Sequence, residues 1–146
     1  MSLSEHLSES KKREEVIDDC VALVDREVQG KSGLGGIVIK TGYKAVKGIR
    51  PGFIRSVVNS LFDDWVRELD PIWKEARDEG KKPHDHFDSE RSRVADALLS
   101  VTDGKADSAK SALVKSTYKK LRPTAKKHVE DAVPGLASVL ERHVTA

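Results

Sequence analysis

Two matching phrases around the only tyrosines of the chain constrain its fold more than any other feature. The phrases are Val38–Lys44 and Leu113–Lys119, and both end in Tyr-Lys. An Arg-Pro pair follows each phrase, at positions 50–51 and 122–123, and opens a long stretch with apolar residues at helical spacing. Internal similarity of this kind is typical of a chain built from related units. We therefore predict two pseudo-repeated three-helix units within one domain.

The charge pattern follows the same two-part order. Net charge is −4 over residues 1–30, +6 over 31–60, −5 over 61–104, +7 over 105–127 and −2 over 128–146. The two basic blocks contain the two tyrosine phrases. The charge pattern and the internal similarity therefore support each other.

Composition favours amphipathic helices. Of the 146 residues, 38% are apolar, 34% are charged and only 5% are aromatic, which suits helices better than a β-sandwich. The single cysteine, Cys20, has no partner for an internal disulfide, which fits a reducing compartment. No run approaches the roughly 20 apolar residues of a membrane span, and the N-terminus lacks the pattern of a signal peptide. We expect a cytoplasmic protein that is not associated with a membrane.

The first unit covers about residues 11–79. Apolar spacing predicts a helix over 11–29, a glycine-rich connection over 31–36 and a helix over 37–49. The β-branched run at the start of 37–49 is also compatible with a strand and turn, and the similarity to the second tyrosine phrase favours the helix. Pro51 opens the next helix, and Asp70-Pro71 predicts a stop, with Asp70 as the N-cap of a short restarted helix. The pattern assigns no role to Ser2 and Leu3.

The second unit covers about residues 88–146, after a linker over about 80–87. We predict a helix over 88–102, a break at Asp103-Gly104, a helix from about 106 to 121, and a last helix that restarts at Pro123. Pro134 should kink or interrupt that last helix. The prediction is thus an all-α fold of seven to eight helices in a single domain over 1–146.

Basic residues of the two tyrosine phrases form the most substantial candidate site. Lysines at i and i+4 flank each tyrosine at i+3, so they share a helix face with it. Adjacent basic residues extend each face into a ridge that suits phosphate groups of nucleic acid or another polyanion. The alternative is that acidic blocks pair with these residues inside the fold. The candidate polyanion-binding residues are Lys40, Lys44, Lys47, Arg50, Lys115, Lys119, Arg122, Lys126 and Lys127.

His84 and His86 form the only cluster with residue types that ligate metals. A His-x-His pair beside carboxylates suits zinc, nickel or manganese, although a solvated loop explains the same residues. Elsewhere the sequence offers no convergent set of a nucleophile, a base and an orienting acid. We therefore predict no cofactor, and we favour a protein that is not an enzyme.

Three segments carry a resemblance to a known group of proteins. They are Lys31–Leu34 with Gly42–Lys44, then Val94–Leu99, and then Ala125–Glu130. With them the chain resembles an uncharacterised family of small all-helical bacterial proteins with no assigned function. The resemblance implies a bacterial, cytoplasmic, all-helical protein, and it implies no site residue, cofactor or partner.

The first functional hypothesis is therefore a non-catalytic helical interaction or scaffold protein that binds a protein partner or a second copy of itself. Trp65 and Trp73 are candidate anchors for such an interface, and packing in the core is the alternative for both. Polyanion binding through the basic ridges is the second hypothesis. A metal site at His84 and His86 is the third.

Overall fold

A computed structural model describes residues 2–7 and 9–144 of the chain, and these residues form seven α-helices and no strand. The all-α prediction is confirmed, and helix is the outcome for the segment 37–49, where a strand was the alternative. The helices are α1 (Leu3–Leu7), α2 (Ser10–Gln29), α3 (Gly33–Lys47), α4 (Phe53–Asp78), α5 (Pro83–Ser89), α6 (Arg91–Asp107) and α7 (Ala112–Val144).

Helix α4 forms the main wall of the core. Its apolar stripe, which repeats every three or four residues, packs against α1, α2, α5 and α6. Trp73 meets the ring of Phe87 from α5 edge to face, at 5.9 Å between ring centroids. The buried residues of α4 are Val58, Leu61, Phe62, Val66, Leu69, Ile72, Trp73 and Ala76.

The predicted stop at Asp70-Pro71 is wrong, because α4 continues through Pro71 to Asp78. A proline inside a helix costs roughly 3 kcal/mol. Burial of the residues on either side, Leu69, Ile72 and Trp73, offsets that cost, since each such side chain contributes about 1.5–3 kcal/mol. The ring of Pro71 itself lies on the exposed side.

Asp70 does cap a helix, but the helix is α1 and not a restarted segment of α4. Its carboxylate accepts a hydrogen bond from the backbone N–H of Leu3 at 2.6 Å and another from the Ser4 hydroxyl at 2.5 Å. The Asp70 contact holds the N-terminal segment against α4. Leu3 and Leu7 are fully buried there, so the lack of a predicted role for Leu3 is also wrong.

The second half of the chain has fewer helix breaks than predicted. Helix α6 runs through Asp103-Gly104 to Asp107, because a glycine inside a helix costs only about 1 kcal/mol. Helix α7 includes both Pro123 and Pro134 without interruption, so the predicted restart at Pro123 is wrong.

The predicted connections are also shorter than expected. Residues 83–89 of the predicted 80–87 linker region form α5, which begins with Pro83 at its first turn. Four residues of the predicted glycine-rich connection, 33–36, form the first turn of α3.

Candidate interaction face and polar clusters

Helix α3 is apolar on both of its sides, and only one side is covered. Its inner side packs on α7, where Gly42 permits a close approach: a methyl group at this glycine would lie 3.1 Å from both Thr117 and Leu121. A helix that is apolar all round is typically buried. The uncovered side of α3 is therefore the feature of this fold that most needs an explanation.

Three large apolar residues lie on the uncovered side of α3. Leu34 is 84% exposed, Ile37 is 62% exposed and Val38 is 41% exposed. Thr41, Lys44 and Ala45 continue the same side toward the C-terminus and are also exposed. At 100° per residue these six positions occupy one stripe of the helix. We call Leu34, Ile37, Val38, Thr41, Lys44 and Ala45 the α3 face.

Both tyrosines lie beside an aspartate of the preceding long helix. The Tyr118 hydroxyl donates to Asp103 of α6, whose carboxylate also accepts two bonds from Arg122, at 2.8 and 3.2 Å. The guanidinium of Arg122 and the tyrosine hydroxyl hold the pKa of Asp103 below its usual value. Burial, and then the neighbouring Asp103, raise the pKa of Tyr118.

The first tyrosine repeats this arrangement with weaker contacts. Burial, and then the charge and hydrogen bond of Asp25, raise the pKa of Tyr43. Lys47, four residues after Tyr43 as Arg122 is after Tyr118, lies 3.6 Å from the Asp25 carboxylate and 5.8 Å from the tyrosine ring centroid. The internal repeat remains a prediction, and this parallel supports it.

Four of the nine predicted polyanion-binding residues are engaged within the molecule. Arg122 and Lys47 contact the aspartates just described, and Lys126 forms an ion pair with Asp96 at 3.1 Å. Arg50 lies over the ring of Phe53, with 5.2 Å between the guanidinium carbon and the ring centroid. The other five have no ion pair with any residue that the structure describes: Lys40, Lys44, Lys115, Lys119 and Lys127.

The second basic ridge lines an open groove. Lys115, Lys119 and Arg122 border it together with Asp103 and Asp107. The two carboxylates reduce the positive charge of this groove. Pairing between acidic and basic blocks, the alternative weighed from the sequence, therefore accounts for part of the charge pattern.

His86 and His84 have different surroundings. His86 is buried, and its Nε2 lies 2.9 Å from a carboxylate oxygen of Glu75, which also accepts bonds from Arg93 at 2.8 and 3.0 Å. His84 is partly exposed, with Nδ1 3.7 Å from Asp85.

The potential ligand group at this position therefore differs from the predicted pair. Glu75, Glu79 and His86 bring one ligand atom each within 4.8 Å of the others. Arg93 supplies the positive charge that a metal ion would otherwise supply to Glu75, so an ion-pair network explains the cluster without a metal. The sequence could not identify Glu75 as the neighbour of His86, because a turn between α4 and α5 brings them together.

The two tryptophans pack inside the fold. Trp73 is only 5% exposed, and the Trp65 indole N–H donates to the backbone carbonyl of Leu98 at 3.1 Å. They are core residues and not the interface anchors proposed as one alternative. A helical wheel of α3 would have found the α3 face, because it shows apolar residues on every side and no acid.

None of the helices in the described part of the chain is long and apolar enough to cross a membrane.

Comparison with known proteins gives one match. The model of a family described as a family of unknown function (DUF6918) matches residues 3–144. No curated protein and no solved structure matches the chain. The match covers nearly the whole chain, so the protein belongs to this family of unknown function.

Proposed function

We propose that this protein is a non-catalytic binding protein that docks an acidic amphipathic helix of a partner protein on the α3 face. The observation that carries the proposal is the exposure of Leu34, Ile37 and Val38 on a helix whose opposite side is already packed. Apolar residues at i, i+3 and i+4 are the anchor spacing of helix recognition. The α3 face thus offers a ready apolar stripe for a second helix.

Charge complementarity selects the partner. Helix α3 contains Lys40, Lys44 and Lys47 and no acidic residue. Lys44 lies on the α3 face itself, and neither Lys40 nor Lys44 has an ion pair with a described residue. A partner helix with an apolar stripe and acidic edges would bury the first and neutralise the second.

A second copy of this chain fits the α3 face less well. A symmetric contact between two copies would pair α3 with α3. Both helices would then bring lysines and no acids to the contact. Self-association is therefore an outcome for the experiment to reveal and not the expected one.

A pair of matched peptides tests the proposal. Both are labelled amphipathic helices with the same leucine stripe, and one has glutamates at its edges where the other has lysines. We expect saturable binding of the acidic peptide only, measured by fluorescence anisotropy, with affinity that falls as salt rises. Equal binding of both peptides, or of neither, would contradict the proposal.

Two variants locate the contact. Ile37→Asp should weaken binding of the acidic peptide by more than tenfold, which corresponds to about 1.4 kcal/mol. Leu113→Asp is the matched control, because Leu113 is 44% exposed on α7 and outside the α3 face. Analytical ultracentrifugation of the unmodified protein provides the self-association arm, since a stable dimer lost in Ile37→Asp would assign the face to a second copy.

Polyanion binding is the second candidate, and the groove bordered by Lys115 and Lys119 favours it. Its test is anisotropy of labelled single- and double-stranded DNA at low and physiological salt. Binding that weakens steeply with salt and disappears in Lys115→Glu/Lys119→Glu would support this function. Absence of binding at low salt would exclude it.

The cytoplasm is the location that we propose for this activity. The single cysteine supports it, because a chain with one cysteine cannot form an internal disulfide. Labelling of Cys20 in whole cells with a thiol reagent after denaturation would test whether the thiol is reduced.

A further inference from the structure

A cavity lies between helices α2, α3, α4, α6 and α7. Its volume is about 270 Å³. Protein interiors are close-packed, with few voids larger than a water molecule, and an engineered apolar cavity of about 150 Å³ in another protein is already large enough to bind benzene. The cavity therefore exceeds an ordinary packing defect and has the size of a small ligand.

The cavity wall is almost entirely apolar. Thirteen of its seventeen lining residues are aliphatic, aromatic or cysteine. Trp65 forms part of the wall, and its bond to the Leu98 carbonyl fixes the indole in place. Burial raises the pKa of Cys20, another wall residue, to about 12, so its thiol stays protonated and is a poor nucleophile. The wall is suited to binding and offers no evident chemistry.

One hydrogen-bonding group of the wall is unused. The Nδ1 atom of His128 is buried and has no hydrogen-bond partner among the described residues. Buried polar atoms without partners are rare in folded proteins. Burial, and then the neighbouring charge of Lys31, lower the pKa of His128, which favours the neutral imidazole.

Charged residues of the wall disfavour an anionic ligand. Lys31 forms an ion pair with Asp131 at 3.1 Å, so its charge is already compensated. Glu27 has no ion pair with the described residues and adds a negative charge to the same wall. A cationic ligand would have to lose its hydration in an apolar enclosure, which costs several kcal/mol.

We propose that this cavity binds an uncharged, mainly apolar small molecule whose single polar group forms a hydrogen bond with His128. A short-chain or aromatic alcohol has this chemistry. The proposal does not depend on the α3 face, because the cavity lies on the inner side of α3, where Ile39 contributes to the wall.

Displacement of a fluorescent probe tests the proposal on the full chain. The neutral dye N-phenyl-1-naphthylamine serves as the probe, and 1-octanol, octanoate and octylamine compete for it. We expect saturable dye binding at one site and displacement by octanol at concentrations at least tenfold below those of the two ions. Dye binding that does not saturate, or displacement by octanoate at the lowest concentration, would overturn the proposal.

Filling the cavity gives the decisive variants. Ala132 lines the cavity, and Ala132→Phe should weaken dye binding at least tenfold, while Ala112→Phe, at an exposed position of the same helix, should not. The smaller change Ala132→Leu guards against misfolding, since it should lower dye affinity while leaving the melting temperature at or above that of the parent. Unchanged dye affinity in Ala132→Leu and Ala132→Phe would place the dye elsewhere and reject the site.

A last variant tests the polar contact. His128→Phe removes the imidazole and keeps a ring of similar size. It should abolish the preference of the site for octanol over octane while dye binding persists. A preference that survives in this variant would show that His128 does not bind the polar group.

Discussion

The two tyrosine-bearing helices, α3 and α7, begin alike and end differently. In each, a tyrosine and the basic residue four positions later face an aspartate of the preceding long helix. Asp103 receives two bonds from Arg122, whereas Lys47 lies 3.6 Å from Asp25. Helix α7 then continues into the core, and α3 ends at Lys47. The same local contact thus serves both a core helix and a surface helix.

The difference lies in what each helix can bury beyond its tyrosine. The second half of α7 places Val133, Ala137, Val139 and Leu140 in the core. In α3 only Gly36 is buried, and the larger apolar side chains are partly or fully exposed. A tyrosine contact therefore positions a helix, but burial along its length decides how firmly the fold depends on it.

The largest expected effect is on α7. Val133→Asp places a carboxylate at a position with no exposure, so it should lower the free energy of unfolding by more than about 4 kcal/mol and leave little folded protein. Ser138→Asp, at an exposed position of the same helix, is the control and should melt near the parent temperature. Circular dichroism during heating measures both, and a cooperative melt of Val133→Asp near the parent temperature would refute the assigned core face.

The next effect concerns Asp103. Asp103→Asn removes the carboxylate that accepts bonds from Arg122 and Tyr118, and we expect a loss of about 1 kcal/mol at pH 7, reduced by solvent exposure. Because these partners lower the pKa of Asp103 in the folded state, its stabilisation is present above the ordinary carboxyl pKa of about 4 and is lost as pH falls through the folded pKa.

Urea unfolding at several pH values checks this prediction. The stability difference between the parent and Asp103→Asn should shrink as the pH drops from 7 to below about 4. Asp107→Asn, on the same helix and without an ion pair to a described residue, should show no such change. A constant difference across the range would mean that Asp103 is not the titrating group.

Removal of the tyrosine hydroxyls compares the two helices directly. Tyr118→Phe should cost about 0.5–1 kcal/mol, because the hydroxyl contacts both Asp103 and Thr102. Tyr43→Phe should cost less, within about 0.5 kcal/mol, because its contacts are looser. Chemical denaturation of the two variants measures the pair. A larger loss for Tyr43→Phe would reverse the ranking of the two helices.

The smallest effect is expected at Gly135 of α7. A methyl group there would lie 2.6 Å from a terminal carbon of Leu23. Leu23 lines the cavity, so its side chain has room to move away, and the gain in helix propensity of about 1 kcal/mol offsets the strain. Gly135→Ala should therefore change stability by less than about 1 kcal/mol while reducing dye binding. A large destabilisation would show that the cavity cannot accept Leu23.

Apolar spacing predicted the existence of the helices well and their ends poorly. Helix α2 was predicted within one residue, because Val16, Ile17 and Val28 repeat clearly and Gly30 ends the pattern. The errors at Pro71 and Pro123 have one cause: the local cost of a proline was weighed without the burial on either side of it, which sequence spacing does not reveal. Leu3 was missed because its partner, Asp70, is distant in the chain.

The candidate sites show the same limit. The basic residues were visible in the sequence, but their partners Asp25, Asp96 and Asp103 lie on neighbouring helices, so the sequence could not separate paired from unpaired lysines. The α3 face also depends on the fold, since periodicity shows that Ile37 and Ile39 differ in direction but not which one is covered. The cavity needs five helices to be placed before it exists.

The most direct test of this account compares Ile37→Asp with Ile39→Asp. The two isoleucines are neighbours on α3, but Ile37 lies on the α3 face and Ile39 lines the cavity. In denaturant unfolding we predict a change within about 0.5 kcal/mol for Ile37→Asp and a loss of about 2 kcal/mol or more for Ile39→Asp. Equal losses would contradict the account, because they would mean that the α3 face is already covered in the folded protein.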